Sequence, residues 1–175
     1  MATQDTVQEI AGVDLEFYDR KYDSALLGFV ESGGYRPAIM PCYGYQALKA
    51  VLFEDTDVTE SKMFNKLDKI VSPSMLDEPM LLMKLSRDYM WSIIRKYKMP
   101  RWDMLDSAII GIGYMYRTPE CIVYNKEACI EVLMNNQISC KGEQYDRETA
   151  TAFLNESVFP IDLGEYTPAF LTVVK

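Results

Sequence analysis

Histidine is absent from this 175-residue chain, which removes the commonest general base and the commonest nitrogen ligand for metals. Cysteine is sparse. The four thiols, Cys42, Cys121, Cys129 and Cys140, show no C-x-x-C spacing, so they read as reduced structural residues rather than a disulfide scaffold or redox centre. A nucleophilic role for Cys121 or Cys129 would lack a histidine to activate it, and Cys129 lies past the first residues of its expected helix. No apolar run is long enough to span a bilayer, and no basic-plus-apolar leader opens the chain. The expectation is a cytoplasmic chain with no membrane partner. No phosphate-cradling glycine loop follows either strand glycine, Gly28 or Gly111. Together these absences favour a protein that is not an enzyme and that carries no cofactor and no metal.

What is present is an ordinary globular composition, 49% hydrophobic and 25% charged, so a folded body is expected. The net charge of −8 is unevenly spread: acids outnumber bases 11 to 4 over residues 1–60 and 11 to 5 over 103–175, whereas bases lead 9 to 4 over 61–102. Duplex nucleic acid is disfavoured as a partner, because phosphate neutralisation needs a positive face. Arg95, Lys96, Lys98 and Arg101 form a local basic cluster. A solvated helix end is the favoured account of it, since cations suit the last helical turn.

A hexapeptide pattern occurs twice, at Asp23–Gly28 and Asp106–Gly111. Tyr43, Ala47, Val51 and Leu52 are answered by Tyr124, Ala128, Val132 and Leu133, and Phe64 and Pro79 by Phe153 and Pro168. The chain therefore reads as a tandem duplication. Each copy begins with two apolar runs and a turn, as in a hairpin. Pro41 implies an edge strand, because proline cannot donate to a ladder. Asn125 predicts a helix N-cap, and Asp57 with Glu60, and Asp146, predict the starts of second helices. A strand closes each unit after Pro79 or Pro168. Residues 79–98 fit either a short strand followed by a helix or one long helix, ended in both cases by Pro100. The expected fold is α+β: a tandem β-β-α-α-β unit, an antiparallel sheet with helices packed on one face, and a linker helix between copies. Boundaries follow at 1–21 for a flexible lead, 22–84 for the first repeat, 85–100 for the linker helix and 101–175 for the second repeat, the repeats sharing one core.

Gly28 and Gly111 inside strands point to the close approach of another backbone, and Asp23 and Asp106 to bonds with backbone at strand starts. The methionines read as core filler. Tyrosine is abundant, with 12 residues. Tyr43 with Tyr45, and Tyr114 with Tyr116, are i, i+2 pairs that an extended segment would turn to one face. They are candidate partner-binding residues, together with Glu165 and Tyr166 in a turn that differs between the copies.

The second copy carries Asp106, Ala108 to Ile112, Val123 to Glu127, Cys129 to Glu131, Leu133, Met134, Asp146, Glu148, Ala150, Glu165, Thr167, Pro168 and Phe170. In that order it resembles a family of small uncharacterised proteins encoded by tailed bacteriophages, over about residues 106–171. The earlier copy departs from it, lacking most of the segment near 138–145 and carrying Leu76-Asp77-Glu78-Pro79 where the later one has Glu165 to Pro168. The resemblance implies a phage protein made in a bacterial host and carries over no catalytic residue.

Three functions compete. The favoured one is a non-enzymatic interaction or accessory factor, of which counter-defence is one form, whose partner is a host or phage protein; self-association is left open. The second is an acidic nucleic-acid mimic using Glu54, Asp55, Asp57 and Glu60, or Glu143, Asp146 and Glu148. The third is small-ligand capture between the copies.

Overall fold

The computed structural model describes residues 24–32, 40–52, 80–115, 118–136 and 142–174. Six strands form a closed barrel in the order β1 (Leu26–Ser32), β2 (Met40–Gly44), β3 (Met80–Met83), β4 (Ile109–Met115), β5 (Thr118–Asn125) and β6 (Ala169–Val173). Helix α1 (Tyr45–Leu52) follows β2. Helix α2 (Arg87–Tyr97) and a 3-10 helix (Asp103–Ala108) join β3 to β4, and α3 (Lys126–Asn136) and α4 (Arg147–Ser157) join β5 to β6.

Pairing is mixed. The β1–β2, β3–β4, β4–β5 and β6–β1 ladders are antiparallel, whereas β2–β3 and β5–β6 are parallel. The parallel β5–β6 pair requires a long crossover, which α3 and α4 supply. Register recurs around the barrel: Gly28 opposes Cys42 and Gly111 opposes Val123; Cys42 opposes Met80 and Val123 opposes Ala169; Leu82 opposes Gly113 and Leu171 opposes Val30. The expected architecture, an open antiparallel sheet of tandem β-β-α-α-β units with helices on one face, is not what the chain forms. The strands close on themselves, two of the six pairings are parallel, and the helices pack around the outside.

Closure also corrects the expectation for Pro41. No edge exists for it to occupy. Pro41 opposes Phe29 in the β1 ladder, while pairing with β3 starts only at Cys42, so the missing N–H falls outside the parallel ladder. In residues 79–98 the chain makes a strand over Met80–Met83 and then the helix α2. That helix ends at Tyr97 with Lys98 left-handed (φ 51°), the Lys98 and Met99 amides returning to the Arg95 and Ile94 carbonyls before Pro100.

Side chains alternate across each strand and so divide between two environments. Val30, Cys42, Met80, Leu82, Cys121, Val123, Ala169 and Leu171 fill the barrel interior. The bore is narrow. A Cβ added to Gly113 would lie 2.5 Å from the Met80 sulfur. Gly28 and Gly111 show the close backbone approach their position suggests. A Cβ on Gly28 would collide with the Thr172 carbonyl oxygen across the β6–β1 seam, and one on Gly111 with the Met83 carbonyl oxygen across β3–β4. Gly28 also has φ +155°, which L side chains rarely adopt.

The outer side of the wall carries the larger core. Ile112, Ile122, Tyr124 and Phe170 face Ile93 and Ile94 of α2, Leu105 of the 3-10 helix, Cys129 and Leu133 of α3, and Ala150 and Leu154 of α4. Around β2 and β3, Tyr43 and Leu81 meet Ala25 and Leu48 in a smaller cluster under α1. Asn125 caps α3 by accepting from the Ala128 amide at 3.1 Å. Asp146 caps α4 in a capping box with Thr149, whose amide it accepts at 2.8 Å. The capping pair expected at Asp57 and Glu60, the turn of the first hairpin and the lead over residues 1–21 lie outside the described residues.

Candidate functional site

The structure separates the tyrosines that the sequence pairs. Tyr43 is buried on the outer wall at 2% exposure and packs with Leu48 and Leu81. Tyr45 does not continue the strand: it is the first residue of α1, so the i, i+2 rule for extended chain does not apply to the pair. Tyr45 packs against the same small cluster as Tyr43, and Tyr114 lies between that cluster and the larger one. Tyr116 lies outside the described residues. Tyr43, Tyr45 and Tyr114 therefore pack into the wall and present no shared open face.

The remaining pair, Glu165 and Tyr166, belongs to the connection between α4 and β6. Between α4 and β6, residues 160–165 are exposed, and Ile161 and Leu163 expose 39% and 40% of their surface. The loop is held at many points. Thr167, buried at its base, accepts from the Leu163 amide at 2.9 Å and shares its own proton between the Gly164 carbonyl (2.7 Å) and the Asp162 carboxylate (3.1 Å). Asp162 also accepts from the Gly164 amide at 2.8 Å. Gly164 supplies the left-handed turn at φ +86°, and Tyr166 is itself left-handed at φ +66°. A non-glycine residue is uncommon there. Tyr166 is held by its ring, which meets Tyr97 of α2 edge-on at 5.9 Å. Partial desolvation and the Glu165 carboxylate raise its hydroxyl above the ordinary tyrosine value.

The Tyr97 contact sets the loop beside the basic end of α2. Arg95, Lys96 and Lys98 are exposed there, and none of the ion pairs among the described residues includes them. Arg101 departs from the expected solvated cluster. Its guanidinium lies over the Trp91 ring at 4.9 Å and pairs with Asp103 (2.7 Å) and Asp106. Asp106 thus sits in the 3-10 helix ahead of β4 rather than at a strand start, and it receives a side chain. Tyr89, on the exposed side of α2, is 58% open.

The other candidate chemistry is built into packing. Cys42 and Cys121 lie inside the barrel, and Cys129 lies on the buried face of α3. Burial pushes the Cys121 and Cys129 thiols up to about 12 and raises Cys42 further, away from the thiolate that nucleophilic attack requires. Cys140 lies outside the described residues. Of the acids considered for phosphate mimicry, Asp146 is the α4 cap, and its carboxyl is held below the usual range by the Thr149 amide and hydroxyl. Glu54, Asp55, Asp57 and Glu60 lie outside the described residues. Among the described residues no group of three or more acids or cysteines is placed to hold a metal, and no helix is long and apolar enough to cross a membrane.

Sequence reasoning named Glu165 and Tyr166 but missed Ile161 and Leu163. Aliphatic residues between a helix and a strand read as core. The signal for the turn was present in Asp162, Gly164 and Thr167, whose side-chain and backbone preferences mark a hydrogen-bonded turn. No family model, curated protein or solved structure matches this chain.

Proposed function

We propose that this chain is a non-enzymatic protein-interaction factor, encoded by a phage and acting in the cytoplasm of the bacterial host, with the segment from Pro160 to Tyr166 as its principal contact. The observation that supports the reading is the exposure of Ile161 and Leu163 on a loop fixed by Thr167, Asp162 and Tyr166. Exposed aliphatics gain when a partner covers them, about 25 cal/mol per Å² of apolar surface removed from water. A loop already held in shape loses less entropy on binding than a mobile one. The phage origin rests on the sequence resemblance, and counter-defence is one form such a factor would take. The nucleic-acid mimic and the small-ligand reading gain no supporting observation among the described residues.

The test compares the full chain with an Ile161→Asp, Leu163→Asp double variant as baits in bacterial lysate, with quantitative mass spectrometry of what each retains. Thermal melts of both baits establish that the variant remains folded. The expected result is a partner retained by the native chain and depleted about tenfold or more on the variant, the loss of about 1.4 kcal/mol that two contact side chains readily account for. Identical retention by both baits overturns the reading.

A further inference from the structure

We infer that the outward face of α2 binds single-stranded nucleic acid, with Tyr89 as a stacking platform and the bases around it as phosphate contacts. The inference goes beyond the reading of the loop and does not depend on it. Over residues 84–98 nine residues are exposed; five are basic, Lys84, Arg87, Arg95, Lys96 and Lys98, and one, Asp88, is acidic. In a chain of net charge −8 this is a local concentration of the opposite sign, and a basic stripe along a helix is the footprint that a polyanion requires. None of the ion pairs among the described residues uses any of the five. Lys96 lies 5.3 Å from the Tyr97 ring, a contact that leaves its charge in place.

Helical spacing gathers these residues on one side. Ile93 and Ile94 are buried, and Met90, Trp91 and Tyr97 pack against the same core, so α2 turns Ser92, Arg95 and Lys96 away from the body. Tyr89 stands seven residues, two turns, before Lys96. Its ring is 58% exposed, more than any other large apolar side chain among the described residues. An open ring bordered by cations is the composition of single-strand sites, where a base stacks on the aromatic face and the backbone follows the positive charge. The acidic balance over residues 1–60 and 103–175 opposes a duplex, which is too wide to keep to one helix. A single strand can lie along α2 alone. From Arg87 to Lys96 the helix rises about 13 Å, the length of a few nucleotides at about 3.4 Å or more apiece. Acids farther than about 8 Å from the strand are screened at physiological ionic strength. A membrane surface needs several apolar side chains to insert, and this face offers Tyr89 alone.

Fluorescence anisotropy of a labelled oligothymidylate of about 20 nucleotides, titrated with the full chain, tests the inference. The native chain is expected to bind, with affinity falling about 20- to 50-fold between about 50 and about 200 mM salt for about three or four phosphate contacts. Tyr89→Ala removes the stacking ring and is expected to weaken binding about fivefold or more. Arg95→Ala with Lys96→Ala is expected to weaken binding and to flatten the salt dependence by about 1.4 in logarithmic slope. All three positions are exposed, and thermal melts report whether each variant is folded. Ile161→Ala with Leu163→Ala leaves the charge unchanged and is expected to bind as the native chain does, so the loop reading and this one fail separately. A duplex of the same length and vesicles of phosphatidylserine are expected to compete weakly. Absence of binding at about 50 mM salt with protein up to about 100 µM overturns the inference. So does binding indifferent to Tyr89→Ala, binding lost on the loop variant, or a duplex or vesicle that competes as well as the single strand.

Discussion

Tyr43 and Tyr124 hold matching places in the barrel, opposite Leu26 and Ile109, one step from the irregularity ahead of Gly28 and Gly111. Their surroundings differ. Tyr43 meets a small cluster with Ala25, Leu48 and Leu81. Tyr124 stacks on Phe170 at 5.4 Å, meets Trp102 edge-on at 6.3 Å, and accepts the Trp102 amide at 3.1 Å, under a wall of side chains from α2, α3 and α4. The same ladder geometry thus supports two different outer walls. Strand pairing fixes where a residue points, but the connecting segments decide what it meets. The candidate contact loop lies on the side of the thicker wall, because it belongs to the connection between α4 and β6 and its Tyr166 meets Tyr97 of α2.

The largest expected effect probes what the two sides share. Gly28→Ala and Gly111→Ala each drive a Cβ into the carbonyl oxygen of a neighbouring strand, and each should cost about 3 kcal/mol or more, read from the shift in a urea unfolding midpoint. Gly28→Ala should be the worse, since its positive φ adds strain. A loss below about 0.5 kcal/mol at either site would show that the two seams are not equally tight. The next effect probes what the sides do not share. Leu133 and Leu48 are both fully buried, and Leu→Ala in a core costs about 2–5 kcal/mol, more where surroundings cannot collapse. Leu133→Ala, held among several helices, should fall in the upper part of that range and Leu48→Ala in the lower. Equal losses in the same unfolding assay would erase the distinction between thick and thin walls.

The smallest effects concern helix caps in the thicker wall. Asn125→Ala should cost about 1 kcal/mol by leaving the Ala128 amide unmet. Asp146→Ala should lower stability in a pH-dependent way. The folded state depresses the Asp146 carboxyl, so its contribution is complete above the ordinary carboxylate range and is lost as pH falls through the lowered value. The difference in stability between native chain and variant should therefore be constant near neutral pH and shrink in acid. A difference that grew in acid would contradict the capping role.

Several of these features were legible before the structure. Asn125 and Asp146 announced helix starts because capping is a local bond between a side chain and an amide at most three residues away. Gly28 and Gly111 announced close backbone approach because a strand glycine leaves space that something must use. Other features were not legible. The i, i+2 rule failed at Tyr43 and Tyr45 because the chain turns helical at Tyr45, after Tyr43 has entered the wall. Pro41 read as an edge residue because the rule assumes that a sheet has edges. Of the contact surface, Glu165 and Tyr166 were legible as a turn, while Ile161 and Leu163 were not, since hydropathy does not reveal which aliphatic residues a loop leaves uncovered.

The sequence by itself determined the local decisions: where helices begin at Asn125 and Asp146, where α2 ends before Pro100, and which strand positions must remain glycine. It also determined the charge division that sets a basic stretch over residues 61–102 between two acidic ones. Only the tertiary structure decided that six strands close into a mixed barrel, that β2 runs parallel to β3, and that Tyr97 meets Tyr166. Capping and turn formation are settled by atoms a few residues apart. Closure, parallel pairing and the joining of a helix end to a loop some 70 residues away depend on which distant segments bury one another, and chain connectivity and packing determine that together.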